Sequence, residues 1–179
     1  MPRDQIQIHF SEAIFMARKL FFLLGLFFLF SLSAGAQGTG VFGGYTFEHL
    51  GTSPGRNLNG VEIAAQHSFT GWFRVAADLD GHYGVPWSPD GRTVHFMVGP
   101  EIAIPGRWSP FVHAMVGVGH VHVDGLTSTS FAGTLGGGVD YRIAPLLSWR
   151  VIQVDDVVTN FFGGTQHSAR LSTGFMIRF

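Results

Sequence analysis

The sequence contains no cysteine, so neither a disulfide framework nor a thiolate metal site is available to it. Lysine is nearly as scarce: it occurs once, at Lys19, and every later cation is arginine. From residue 37 onward eight arginines face ten carboxylates, a formal charge near −2. A chain so balanced lacks the basic footprint of a nucleic-acid binder. No stretch after residue 36 reaches the roughly 18 consecutive apolar residues that mark a membrane-spanning helix. Helix formers in periodic runs are missing as well. Glycine is abundant, with 25 residues, and aromatics make up 14% of the chain. The balance favours an all-β fold.

The N-terminal region divides by chemistry. Residues 16–36 carry Arg18 and Lys19, then the apolar run Leu20–Phe30, then Ala34-Gly35-Ala36 before Gln37. A positive start, a short apolar centre and a small-x-small end make a secretory signal, with Ala34 and Ala36 flanking cleavage at Gln37. The run is too short for a membrane anchor, which needs roughly 20 residues. Residues 1–15 are polar and precede a second methionine, Met16, so they read as an overcalled extension. The mature chain expected is residues 37–179, one domain. Absence of cysteine suits a protein that stays unfolded while crossing an oxidising compartment.

Turn clusters divide that region into segments of about 10 residues, close to the 9–11 that a tilted strand needs to cross a bilayer. Alternation of apolar and polar residues, which places successive side chains on opposite faces, predicts strands near 40–49, 58–68, 72–83, 93–104, 109–123, 131–143, 147–157 and at the C-terminus. Pro100 falls inside the fourth and predicts a bulge. The fifth has an ambiguous phase: Val112, Ala114, Val116 and Val118 face out if Gly117 and Gly119 face in. The seventh slips near Val151-Ile152, a second predicted bulge. Connections alternate short and long, with the longest, near ten residues, after the third and seventh strands.

The final strand stops on Phe179. Read backwards in twos, Phe179, Ile177, Phe175, Thr173 and Leu171 form one face, and Arg178, Met176, Gly174, Ser172 and Arg170 the other. With Gly136-Gly137-Gly138-Val139-Asp140-Tyr141-Arg142-Ile143, Pro145 and Leu147-Ser148-Trp149-Arg150, this strand resembles the closing hairpins of the small outer-membrane β-barrels (OmpA/OmpX-like). The resemblance implies an eight-stranded antiparallel up-and-down transmembrane β-barrel over residues 37–179. It also implies outer-membrane lipid as surroundings and Phe175, Ile177 and Phe179 as the signal read by the barrel assembly machinery. Family roles range from structural tethering to adhesion and small-solute passage.

Charges face lipid at a cost, so Glu62, Arg74, Asp78, Asp80, Glu101, Asp140, Arg142, Arg150, Arg170 and Arg178 are expected to point inward and pair. The interior of eight strands is just wide enough for side chains to fill. The expectation is therefore a monomeric structural or surface-interaction protein without catalysis or cofactor. Two alternatives remain. A soluble lipocalin-like barrel would bind an apolar ligand, with the faces inverted, and a narrow pore would pass small solutes.

Catalytic and metal sites find weak support. The pairs His67-Ser68 and His167-Ser168 are adjacent, so each residue points away from its neighbour and cannot form a nucleophile–base pair. His120 and His122 share a face and could meet a metal with Asp124, but they read better as rim histidines, and His113 is too distant to join them. Trp72, Trp108 and Trp149 read as an interfacial girdle.

Overall fold

The computed structural model describes residues 38–51, 56–85, 88–123, 126–161 and 164–179. The signal segment, the extension before it and the cleavage residues Ala34, Ala36 and Gln37 lie outside the described residues, as do Trp87 and Asp124. Eight strands follow in order: β1 (Thr39–Leu50), β2 (Arg56–Ser68), β3 (Phe73–Val85), β4 (Ser88–Ala103), β5 (Trp108–Val123), β6 (Leu126–Ala144), β7 (Leu147–Thr159) and β8 (Gln166–Arg178). Each pairs antiparallel with its chain neighbour, and β8 returns to β1 to close the barrel. The seam runs from Gly40 opposite Arg178 to Leu50 opposite Ser168. Beyond it, Phe179 N donates to Thr39 O at 2.8 Å and Gly38 N donates to Phe179 O at 3.1 Å. Closure leaves no sheet edge, so the ladder satisfies the backbone around the ring.

Alternation sets the faces. Along β5, Val112, Val116 and Val118 are exposed on the outside while Phe111, His113 and Met115 are buried inside, which resolves the phase in favour of inward Gly117 and Gly119. The outer surface carries Val61, Ile63, Leu79, Phe96, Ile102, Leu135, Ile152, Val154, Phe175 and Ile177, all exposed. Among the residues whose side chains are described, the exposed charges are Arg92, Arg107, Arg142 and Asp156, near the strand ends.

The bulge expected at Val151-Ile152 is present: Ile152 opposes Val139 and Arg150 opposes Asp140, so Val151 is the extra residue. Its counterpart at Pro100 is not. The β3–β4 register passes Pro100 opposite Val75 without a shift, and the β4–β5 pairing omits Gly99 and Pro100 and resumes in phase. Proline's missing donor interrupts the ladder without adding a residue. The long connection expected after the third strand is also corrected. β3 runs to Val85 and β4 starts at Ser88, so most of that Gly/Pro-rich stretch is strand, with Val85 opposite Ser88. The connection after β7, residues 160–165, is likewise shorter than expected.

At the β1–β8 seam, Gly44 opposes Gly174 and the Phe42 ring lies against both. A Cβ on either would collide with the partner backbone and with Phe42. The ring packs where only hydrogens leave room.

Candidate functional site

The barrel interior is polar and densely paired. Arg170, fully buried on β8, reaches Asp78 at 2.6 Å, Asp80 at 2.5 Å and Asp155 at 2.7 Å. Three carboxylates from β3 and β7 therefore converge on one guanidinium, whose fork of donors suits several oxygens at once. Asp155 continues the network: His113 Nε2 stands 2.8 Å from Oδ1, and Gln153 Nε2 donates to Oδ2 at 2.6 Å. Glu62 accepts from Ser172 and, at 3.5 Å, from Gln153.

Toward the end where β1 begins and β8 finishes, Arg150 donates to Asp140 at 2.9 Å and to Gln153 at 2.6 Å. Its guanidinium lies 4.7 Å from the Phe42 ring and 4.3 Å from that of Phe111. Two aromatic faces thus hold a desolvated cation that also has its carboxylate. Arg178 reaches Asp140 at 3.2 Å, and Arg74 donates to Glu101 at 2.9 Å. Ala76, Met97, Met115 and Ala132 form an apolar plug within the same lumen. A small cavity bordered by Glu62, Asp78, His113 and Gln153 has room for about one water.

Toward the loop end, Asp80 Oδ1 accepts from His95 Nδ1 at 2.8 Å. His82 Nδ1 lies 2.9 Å from the same oxygen and 3.3 Å from Glu48 Oε2. Neither contact has hydrogen-bond alignment, and both His82 ring nitrogens and Glu48 Oε2 are buried without a partner. Phe161 covers this group, its ring 6.5 Å from that of His95.

Nine of the ten expected interior residues line the lumen: Glu62, Arg74, Asp78, Asp80, Glu101, Asp140, Arg150 and Arg170 are buried, and Arg178 is half-buried at the rim. Arg142 is the exception. It has inward parity but is exposed, because it sits at the turn where the β6–β7 register shifts between Arg142 and Ala144. Five buried ionisable groups lie outside the expected charge set: Glu48, His82, His95, His113 and Asp155. Four follow from strict alternation on β1, β3, β4 and β5. Asp155 does not, since the Val151 bulge inverts parity beyond it and turns Asp155 in and Asp156 out.

The histidines considered for a metal face away from the lumen. His120 pairs with Thr129 at 2.8 Å and His122 with Thr127 at 3.2 Å. His67 and His167 are exposed, and Ser168 is buried on the opposite face. Trp72, Trp108 and Trp149 are exposed at the end where β1 begins and β8 finishes, with the Trp108 ring tilted against that of Tyr141 at 4.6 Å and Arg107 over the latter at 5.2 Å. No helix among the described residues is long and apolar enough to cross a membrane, which does not bear on crossing by strands.

Apolar residues outside, paired charges inside and a closed ring of eight antiparallel strands define the fold of the small eight-stranded outer-membrane β-barrels. The water-soluble lipocalin-like arrangement requires the reverse assignment of faces and is overturned. Among solved structures the chain resembles Neisserial surface protein A, at 17% identity and a TM-score of 0.64 over 79% of this chain and 97% of that one. It also resembles the N-terminal β-barrel domain of Pseudomonas aeruginosa OprF, at 12% identity and a TM-score of 0.53 over 79% and 98%. The attachment invasion locus protein Ail of Yersinia pestis matches at 15% identity and a TM-score of 0.50, over 79% and 99%. No family profile matches the sequence, and no curated protein matches it.

Proposed function

We propose that this chain is an integral protein of the bacterial outer membrane with a structural or surface-interaction role and no catalysis. The observation that carries this reading is the segregation of side chains: a continuous apolar exterior around a lumen filled by ion pairs. Similarity in fold to a Neisserial surface protein and to an attachment invasion locus protein supports a role at the cell surface. Short hairpins at the loop end favour a compact contact surface over a large binding platform. Residues 16–36 supply export in this reading, and no nucleic acid is involved.

Membrane fractionation with heat-modifiable gel mobility tests it. The protein is expected in the outer-membrane fraction, and the unheated sample runs as a compact species. Recovery in the soluble periplasmic fraction overturns the proposal. In planar bilayers the monomeric barrel is expected to show no discrete openings, since side chains fill an eight-stranded lumen.

Assembly depends on the C-terminal strand in this reading. Phe179 is exposed toward lipid and its backbone makes two hydrogen bonds that finish the seam. Deleting it removes bonds worth about 0.5–1.5 kcal/mol each together with the terminal aromatic offered to the barrel assembly machinery. Folded protein recovered from the outer membrane is expected to fall. Unchanged yield from the deletion counts against Phe175, Ile177 and Phe179 as an assembly signal.

A further inference from the structure

We propose that Glu48, His82 and His95 form a binding site for a divalent transition-metal ion of the zinc type inside the barrel, beneath Phe161. The three side chains come from β1, β3 and β4 and are each about 1% exposed. One donor atom from each lies within 4.8 Å of the other two. Bonds of about 2.0–2.1 Å to a tetrahedral ion place donors roughly 3.4 Å apart, so modest side-chain rotation brings the set together.

Unmet bonding capacity points to a cation. Both ring nitrogens of His82 and the Oε2 of Glu48 are buried without a hydrogen bond, a costly state for polar groups. A metal ion satisfies imidazole lone pairs and a carboxylate oxygen together, which no single hydrogen-bond donor does. Asp80 is a supporting partner. It accepts from His95 Nδ1 at 2.8 Å, which fixes the tautomer and leaves Nε2 as a free lone pair, the usual second-layer arrangement around a metal-bound histidine. Its other oxygen is held by Arg170 at 2.5 Å, so its position is set independently of the ion.

Charge and access agree. Among the residues whose side chains are described, seven buried carboxylates, at 48, 62, 78, 80, 101, 140 and 155, face the lumen with four arginines, at 74, 150, 170 and 178. A dication offsets part of that excess. Gly119 on β5 makes the room: a Cβ there would come within 2.8 Å of the Phe161 ring and 2.9 Å of the His95 ring. Phe161, 6% exposed, shields the site from bulk water. Two imidazoles with one carboxylate select zinc-type ions over magnesium and calcium, which require oxygen donors.

The bound ion would tie β1 to β3 and β4 across the lumen near the loop end. The test uses the purified folded barrel in detergent, stripped with a chelator and then exposed to Zn²⁺, Ca²⁺ or Mg²⁺ alone. Metal analysis after dialysis is expected to find one Zn²⁺ per chain and neither Ca²⁺ nor Mg²⁺. Co²⁺ substitution should give the intense visible bands of a low-coordinate nitrogen–oxygen site. His82→Gln and His95→Gln, checked for folding by heat-modifiable mobility, should each weaken Zn²⁺ binding by roughly 100-fold or more. The double variant His120→Ala/His122→Ala should bind as the wild type does. Failure of the folded wild type to retain Zn²⁺ overturns the proposal, as does full retention by folded His82→Gln. Should neither glutamine variant fold, the wild-type Co²⁺ spectrum decides, and absence of those bands overturns it.

Discussion

Arg170→Met should lower the unfolding free energy of the barrel by about 3–5 kcal/mol, the range for removing one partner from a buried charge network. Arg170 is fully buried and is the shared partner of Asp78, Asp80 and Asp155. Methionine fills most of the volume but leaves three carboxylates facing one another in a lumen with little water. The repulsion acts between β3 and β7, on opposite sides of the barrel, so the whole ring is strained rather than one hairpin. Arg170→Lys retains the charge and loses the fork that serves several oxygens at once, and its loss should be intermediate. Equilibrium denaturant unfolding in lipid vesicles measures both. A midpoint for Arg170→Met equal to that of the wild type would falsify a structural role for the network.

The second large effect concerns the other face. Val116 lies midway along β5, opposite Val98 on one side and Gly133 on the other, and is 55% exposed. Val116→Arg places a cation near the bilayer midplane and should destabilise the barrel by about 2–4 kcal/mol. Tyr83→Arg, near the loop end of β3, should cost only about 0–1 kcal/mol, because the headgroup region solvates the guanidinium. This depth dependence separates a lipid-facing surface from a water-facing one. Were the exterior in water, arginine would be tolerated equally at both positions. Equal stabilities of the two variants in vesicles would therefore sink the membrane assignment.

Legibility followed the regularity of the chain. On β8, Leu171, Phe175 and Ile177 alternate with Arg170, Ser172 and Arg178, and the structure places them out and in as the spacing requires. The same rule located Glu62, Arg74, Asp78, Asp80, Glu101, Asp140 and Arg150. It misplaced Arg142, since parity does not say where the strand passes beyond the barrel rim. It also left Asp155 and Asp156 undistinguished, because one extra residue at Val151 inverts every face that follows. Pro100 was misread for a related reason: a missing N–H can interrupt hydrogen bonding without changing the register.

By itself the sequence determined the strand count, the apolar exterior and the set of charges that had to turn inward. Those are consequences of a period of two and of the cost of charge in hydrocarbon, and both act locally along each strand. Only the tertiary structure decided which inward groups meet. Glu48, His82 and His95 are separated by 34 and 13 residues in the chain, and the stagger of three strands brings them under Phe161. Arg170 is likewise 90 residues from Asp80, and their contact exists because closure of β8 on β1 folds the ring across its own lumen.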